Sequence, residues 1–328
     1  MLLPFPRFIA TLWMALALLL GALAPGAQAA SGTYEAELPA GLATATDMCA
    51  LLPCKDVFPG ATEFSDRMGQ PPYVEAYDKA GEGRQLLGYV MLSTDITDTP
   101  AYSGKPVVTL IGMDKTGHFV GVKVLKHSEP ILLLGIPESA LLNFNNQYLG
   151  KSVADKIEIG QSRPDEDIVG LDAISGATVT VIAQNQVMMA SGSAVARQVG
   201  ILAPVVREAA RYKVRGDALT WDELVGRGAV EHLRVMPEQL GQDRSADPFI
   251  ELWFGDLSHP DIGKSVLGVT DWENLNRQLK EGEHAIFVIR TAGRESFKGS
   301  GFVRGGLYDR VQVKQGADSF TFRDLDYL

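Results

Sequence analysis

Asp172-Ala173-Ile174-Ser175-Gly176-Ala177-Thr178-Val179-Thr180 is the stretch that decides how this chain is organised. Ser175, Gly176 and Ala177 read as a small-residue turn, and a helical pattern starts directly behind them. Val179, Ile182, Ala183, Val187 and Ala190 recur at core-facing spacings, and Gly200 ends the run. A helix that starts in such a turn leaves its first N–H groups open, and these groups suit a negatively charged ligand such as phosphate. The hydroxyls of Ser175 and Thr178 sit at that end, with Asp172 just ahead of them. The plainer alternative is that both hydroxyls only cap the helix.

Upstream, residues 89–92 and 106–112 are strand-like, and the turn Asp114-Lys115-Thr116-Gly117 returns the chain through 119–125, which predicts a β-hairpin. Pro137-Glu138 opens a predicted helix over 139–148 that Gly150 closes. The basic, proline-containing stretch 204–215, with Arg207, Arg211, Lys213 and Arg215, reads as a linker or solvated face. Beyond it, Thr220 with Glu223 and Thr270 with Glu273 each form a capping-box signature that predicts a short helix. Strand-like runs follow at 249–254, 285–289, 310–313 and 319–322, the last two joined by a turn over 315–318. The expected fold class is α+β: residues 30–212 as a mostly antiparallel sheet flanked by helices, and 213–328 as a smaller α+β domain. Gly299-Ser300-Gly301 and Arg304-Gly305-Gly306 read as strand-connecting loops rather than a phosphate cradle.

The composition sets limits. Of 328 residues, 46% are hydrophobic and 21% charged, which excludes a disordered or fibrous chain. A formal net charge of −10 argues against a nucleic-acid partner. Residues 8–24 are apolar, Pro25-Gly26 breaks them, and Ala27 and Ala29 precede Ala30, so 1–29 read as a signal peptide and the mature chain as periplasmic. The competing reading of that segment is a retained membrane anchor. Cys49 and Cys54 are the only cysteines, and in an oxidising compartment an even pair implies a disulfide. Neither His259 nor His284 has ligand partners at metal-site spacing. No hydrolase elbow, zinc-protease motif or P-loop is present in the sequence.

The segment from Asp172 through Ser175, Gly176 and Ala177 to Thr178 resembles the flavinylation motif of the FMN-binding domain family, which includes the flavin subunits of the sodium-pumping NADH:quinone oxidoreductase and of the Rnf complex. The resemblance implies covalent FMN, joined by a phosphoester to Thr178, and a flavin transferase that attaches it. His127-Ser128-Glu129-Pro130 followed by Gly135 resembles the family segment that lies along the isoalloxazine ring, although Ile131-Leu132-Leu133-Leu134 replaces its usual wording. Those leucines are expected in the core. With residues 252–256, 302–306 and 320–324, the mature chain resembles the extracytoplasmic part of the NosR family of membrane flavoproteins. That resemblance implies an electron-transfer role in nitrous oxide respiration, with nitrous oxide reductase or its maturation factors as partner and an inner-membrane region in the full-length protein. The alternatives are a flavoprotein of organohalide respiration and a non-redox periplasmic assembly or regulatory module.

Overall fold

The computed structural model describes residues 32–328 except 80–82, 205–209, 280–281, 300–301, 303–305, 316–317 and 324–328. The expected signal peptide, Arg207 and most of both glycine loops near residue 300 therefore lie outside the described residues.

Five strands form an antiparallel meander in chain order: β1 (Glu63–Phe64), β2 (Val74–Asp78), β3 (Gln85–Leu92), β4 (Val108–Asp114) and β5 (Phe119–Lys126). The predicted hairpin is β4–β5. Alternation along β3 and β4 sends side chains to two separate apolar layers. Val90, Leu92 and Leu110 pack with Leu42, Met48, Val57 and Val74 on one face. Tyr89, Met91, Ile111 and Met113 pack with Phe119, Phe144, Met188 and Val195 on the other. Both faces are covered, so β4 is buried along nearly its whole length.

The first face is covered by the segment that carries the disulfide. Cys49 and Cys54 are bonded, and Cys54 opens the short helix α1 (Cys54–Val57). The helix lies flat on the sheet because Gly112 and Gly121 face each other across β4 and β5. A Cβ at Gly121 would stand 2.0 Å from the Val57 carbonyl oxygen, and one at Gly112 2.2 Å from it.

The second face is covered by α3 (Thr178–Gln198), the 21-residue helix behind the opening motif, together with α2 (Glu138–Asn146). Between them lies a short parallel pair, β6 (Lys156–Ile159) and β7 (Ile168–Leu171), which delivers the chain to the motif. Both helices match the sequence prediction to within a few residues.

The second half contains α4 (Trp221–Gly226), β8 (Glu231–Val235), β9 (Ile250–Asp256), α5 (Pro260–Leu267), α6 (Val269–Gln278) and β10 (Ile286–Ala292), with the sheet ordered β10-β9-β8. Thr220 forms its capping box with Glu223 as predicted. The second predicted box does not form. Gly268, at φ +81°, turns the chain out of α5 and serves as the N-cap itself, so α6 starts at Val269 and Thr270 is already inside its first turn. The last hairpin, β11 (Leu307–Gln315) with β12 (Asp318–Arg323), packs against α3. Leu307 is 3% exposed and belongs to the cluster of Ala177, Val179 and Ala183.

Candidate functional site

The motif loop runs from the end of β7 to the start of α3, and its exposed residues are Asp172, Ala173, Ser175, Gly176 and Thr178. Gly176 has φ +80°, a conformation that a side chain disfavours and that turns the loop into the helix. Ala177 is the N-cap and is buried, and no side chain caps α3. Neither Ser175 nor Thr178 therefore fills the capping role that was the plainer alternative. The helix N-terminus keeps its donors available, and the Thr178 hydroxyl stands beside them in solvent.

Thr180 is different. It is 1% exposed, and its hydroxyl donates to the Glu129 carboxylate. That carboxylate is fully buried and also accepts from the backbone N–H groups of Tyr102 (3.1 Å) and Ser103 (2.9 Å). Glu129 thus ties the loop before β4 to the first turn of α3. His127 is equally buried. Its Nδ1 accepts from the Glu129 N–H at 3.2 Å, which places the neutral ring's proton on Nε2, 3.8 Å from the Glu138 carboxylate. Burial lowers the His127 pKa below that of a free imidazole, although Glu138 and Glu129 oppose the shift. Thr33 donates to Glu138 through both its N–H and its hydroxyl and holds the Glu138 carboxyl below the usual range. Tyr34 meets the His127 ring edge-on, with centroids 5.6 Å apart. Among the named candidates, His127 and Glu129 face protein partners, whereas Asp172, Ser175, Gly176 and Thr178 face outward.

Gly135, at φ +78°, ends a single turn of 3-10 helix over Pro130–Leu134. The following Ile136 reaches the motif: its Cδ1 lies 3.5 Å from where a Cβ on Gly176 would be. The expectation that this leucine run is core is corrected here. Leu133 is 79% exposed and Leu134 64%, because the 3-10 turn is too short to bury more than one side. Ile131 takes a core position, in the cluster with Ala177 and Val179, and the side chain of Leu132 lies outside the described residues. Two exposed leucines on a turn adjoining the motif provide apolar surface of the kind that covers an aromatic ring.

Sequence reasoning passed over Gln147. It follows α2, and its side-chain amide accepts from the Asp172 N–H at 2.8 Å and donates to the Asp172 carbonyl at 3.1 Å. No local pattern marks it, since the pairing spans 25 residues and exists only once α2 and β7 are side by side.

Residues 102–190 match the FMN-binding domain family, a span holding both the His127–Gly135 segment and the motif. The chain is 39% identical over 266 residues to "Regulatory protein NosR" of Stutzerimonas stutzeri, covering 75% of this chain and 36% of that protein. It is 37% identical over 290 residues to the NosR of Pseudomonas aeruginosa, covering 83% and 40%. Over most of its length the chain is similar to NosR proteins. A more distant relative is "Protein NirI" of Paracoccus denitrificans, at 26% over 272 residues, covering 80% and 38%. The chain spans about two fifths of the length of these relatives. Among the described residues, no helix is long and apolar enough to cross a membrane.

In the second half, Trp253 of the first NosR-like string occupies a structural position, while residues 303–305 and 324 of the other two strings lie outside the described residues. Trp253 on β9 stacks on His232 at 4.5 Å and meets the edge of Trp221 at 6.2 Å, with the Arg290 guanidinium 5.1 Å from its ring. Arg310 donates to the Ser296 carbonyl at 2.7 Å and lies over Phe249. Gly299 packs on Asp309, an acidic neighbour unsuited to a phosphate. His259 caps α5 by accepting from the Asp261 N–H, and His284 pairs with Asp256 at 2.6 Å.

Proposed function

We propose that this chain is the extracytoplasmic part of an electron-transfer flavoprotein that carries FMN covalently on Thr178. The observation behind this reading is the exposed Thr178 hydroxyl on the first turn of a 21-residue helix that no side chain caps. The residues present fit the group. The N–H donors and partial positive charge of the helix end would hold the phosphate, and the exposed Leu133 and Leu134 would lie against the ring. FMN supplies the redox chemistry, and the protein holds and tunes it.

The Thr178 Oγ forms a bond to the FMN phosphorus of FAD, the phosphoanhydride breaks, AMP leaves and the hydroxyl proton passes to solvent. A flavin transferase using magnesium would perform this step. Thr180, the neighbouring hydroxyl that could compete as acceptor, is buried and already hydrogen-bonded to Glu129. Ser175 is the exposed competitor.

The family relationship supports a place in nitrous oxide respiration, with electrons passing toward nitrous oxide reductase or its maturation factors and an inner-membrane region contributing the rest of the protein. Residues 1–29 would direct export to the periplasm, and the boundary near residue 212 would separate the flavin-bearing part from the second half. The full chain, produced with the transferase, is expected to gain one FMN that survives denaturation. Thr178→Val should abolish it and Ser175→Ala should retain it. Flavin retained on the Thr178→Val protein would overturn the assignment.

A further inference from the structure

The acceptor loop is fastened at both ends by side chains outside it. Before the loop, the Gln147 amide satisfies both backbone polar groups of Asp172, at 2.8 and 3.1 Å. After it, Thr180 donates to Glu129, itself pinned by the N–H groups of Tyr102 and Ser103. Between these posts the Ala177 N–H donates to the Ile174 carbonyl at 3.0 Å, Ala177 is buried, and Ile136 closes under Gly176. Ser175, Gly176 and Thr178 remain exposed on top. A segment held this way has little conformational freedom left to lose when an enzyme binds it.

We infer that Gln147 and the Glu129–Thr180 pair are positioning residues, which hold the loop 172–180 in the conformation presented to the flavin-transferring enzyme. Neither touches the reacting atoms. This inference rests on the reading of Thr178 as acceptor. The opposite design is also physically coherent: a loop that must be pulled out of the fold to enter the transferase would be slowed by the same clamps.

The test is FMN transfer onto the full chain by an FAD:protein FMN transferase with FAD and magnesium, followed by protein-bound flavin fluorescence at several acceptor concentrations. In the step, a Thr178 Oγ–P bond forms, the phosphoanhydride of FAD breaks, AMP departs and the hydroxyl proton is released. Gln147→Met keeps the side-chain length and removes both hydrogen bonds. Thr180→Val keeps the shape and removes the donor. Each is expected to raise the KM for the acceptor protein by about tenfold while kcat stays within about twofold, because the cost falls on ordering the loop and not on the chemistry. Thr180→Ser should restore the wild-type KM. In the flavin-free Gln147→Met protein, hydrogen exchange at the Asp172 amide should accelerate while α3 keeps its protection.

Unchanged or faster transfer in both variants overturns the inference, and so does a rate loss accompanied by lost protection along α3. If the wild type takes no flavin, or Thr178→Val takes as much as wild type, the acceptor reading itself has failed and the clamp falls with it.

Discussion

His127 shows how a single residue type carries different meanings in sequence and in space. As a histidine near Glu129 it suggests a ring-side contact, yet the folded chain buries it completely, with Nδ1 engaged by a backbone N–H and Nε2 directed at Glu138. Burial lowers its pKa in the folded state. As pH falls through about 6.5, the unfolded chain takes up a proton that the folded chain refuses, so stability declines and levels off below the folded pKa. Glu138 acts in the same sense with pH, in a lower window. Its folded pKa is depressed, so its contribution is present above about 4.5 and is lost as pH falls through the folded value. Urea midpoints measured between pH 7.5 and 5 should therefore fall in the wild type, and His127→Gln should flatten that slope. An equally steep slope in the variant would assign the titration to another group.

Among the elements, α1 and its glycine seat give the sharpest expectation. The pair Gly112 and Gly121 leaves a flat depression that admits the Val57 backbone, and any Cβ at 121 meets a carbonyl oxygen that cannot rotate away. Gly121→Ala should cost about 1–3 kcal/mol or more, the range of overpacking that moves backbone, read from chemical denaturation. Opening the Cys49–Cys54 bond with Cys54→Ala should cost about 2 kcal/mol, since the closed loop is short. Both changes lie on the sheet face away from α3, so flavin attachment is expected to survive them. Loss of flavin in either variant would show that the two faces are coupled.

The whole molecule returns its last hairpin to the helix that starts at the motif. Leu307 shares a buried cluster with Ala177, Val179 and Ala183, and Gln186 donates to Thr321 at 2.7 Å. A chain cut after residue 212 would leave this face of α3 uncovered, so its melting temperature should fall even though the motif and its clamps are intact. Leu307→Ala in the full chain should cost about 2–5 kcal/mol by leaving a cavity at the same place. Equal melting temperatures for the cut and full chains would show that the hairpin adds nothing to the flavin-bearing part.

The elements with strong local signals are legible in the amino-acid sequence by itself. These are the β4–β5 hairpin around its Asp-Lys-Thr-Gly turn, the helix after Gly176, the Thr220 capping box and the motif, because each is specified by residues a few positions apart. Strand β8 is not, since Glu-His-Leu-Arg-Val is polar enough to read as loop and becomes a strand only by pairing with β9. The exposed placing of Leu133 and Leu134, the burial of His127 and Glu129, and the hold of Gln147 on Asp172 are decided by the tertiary structure alone. Side-chain type records what a residue prefers, but which side of a short turn meets the core, and which distant amide meets a free N–H, depends on packing between segments 25 to 51 residues apart.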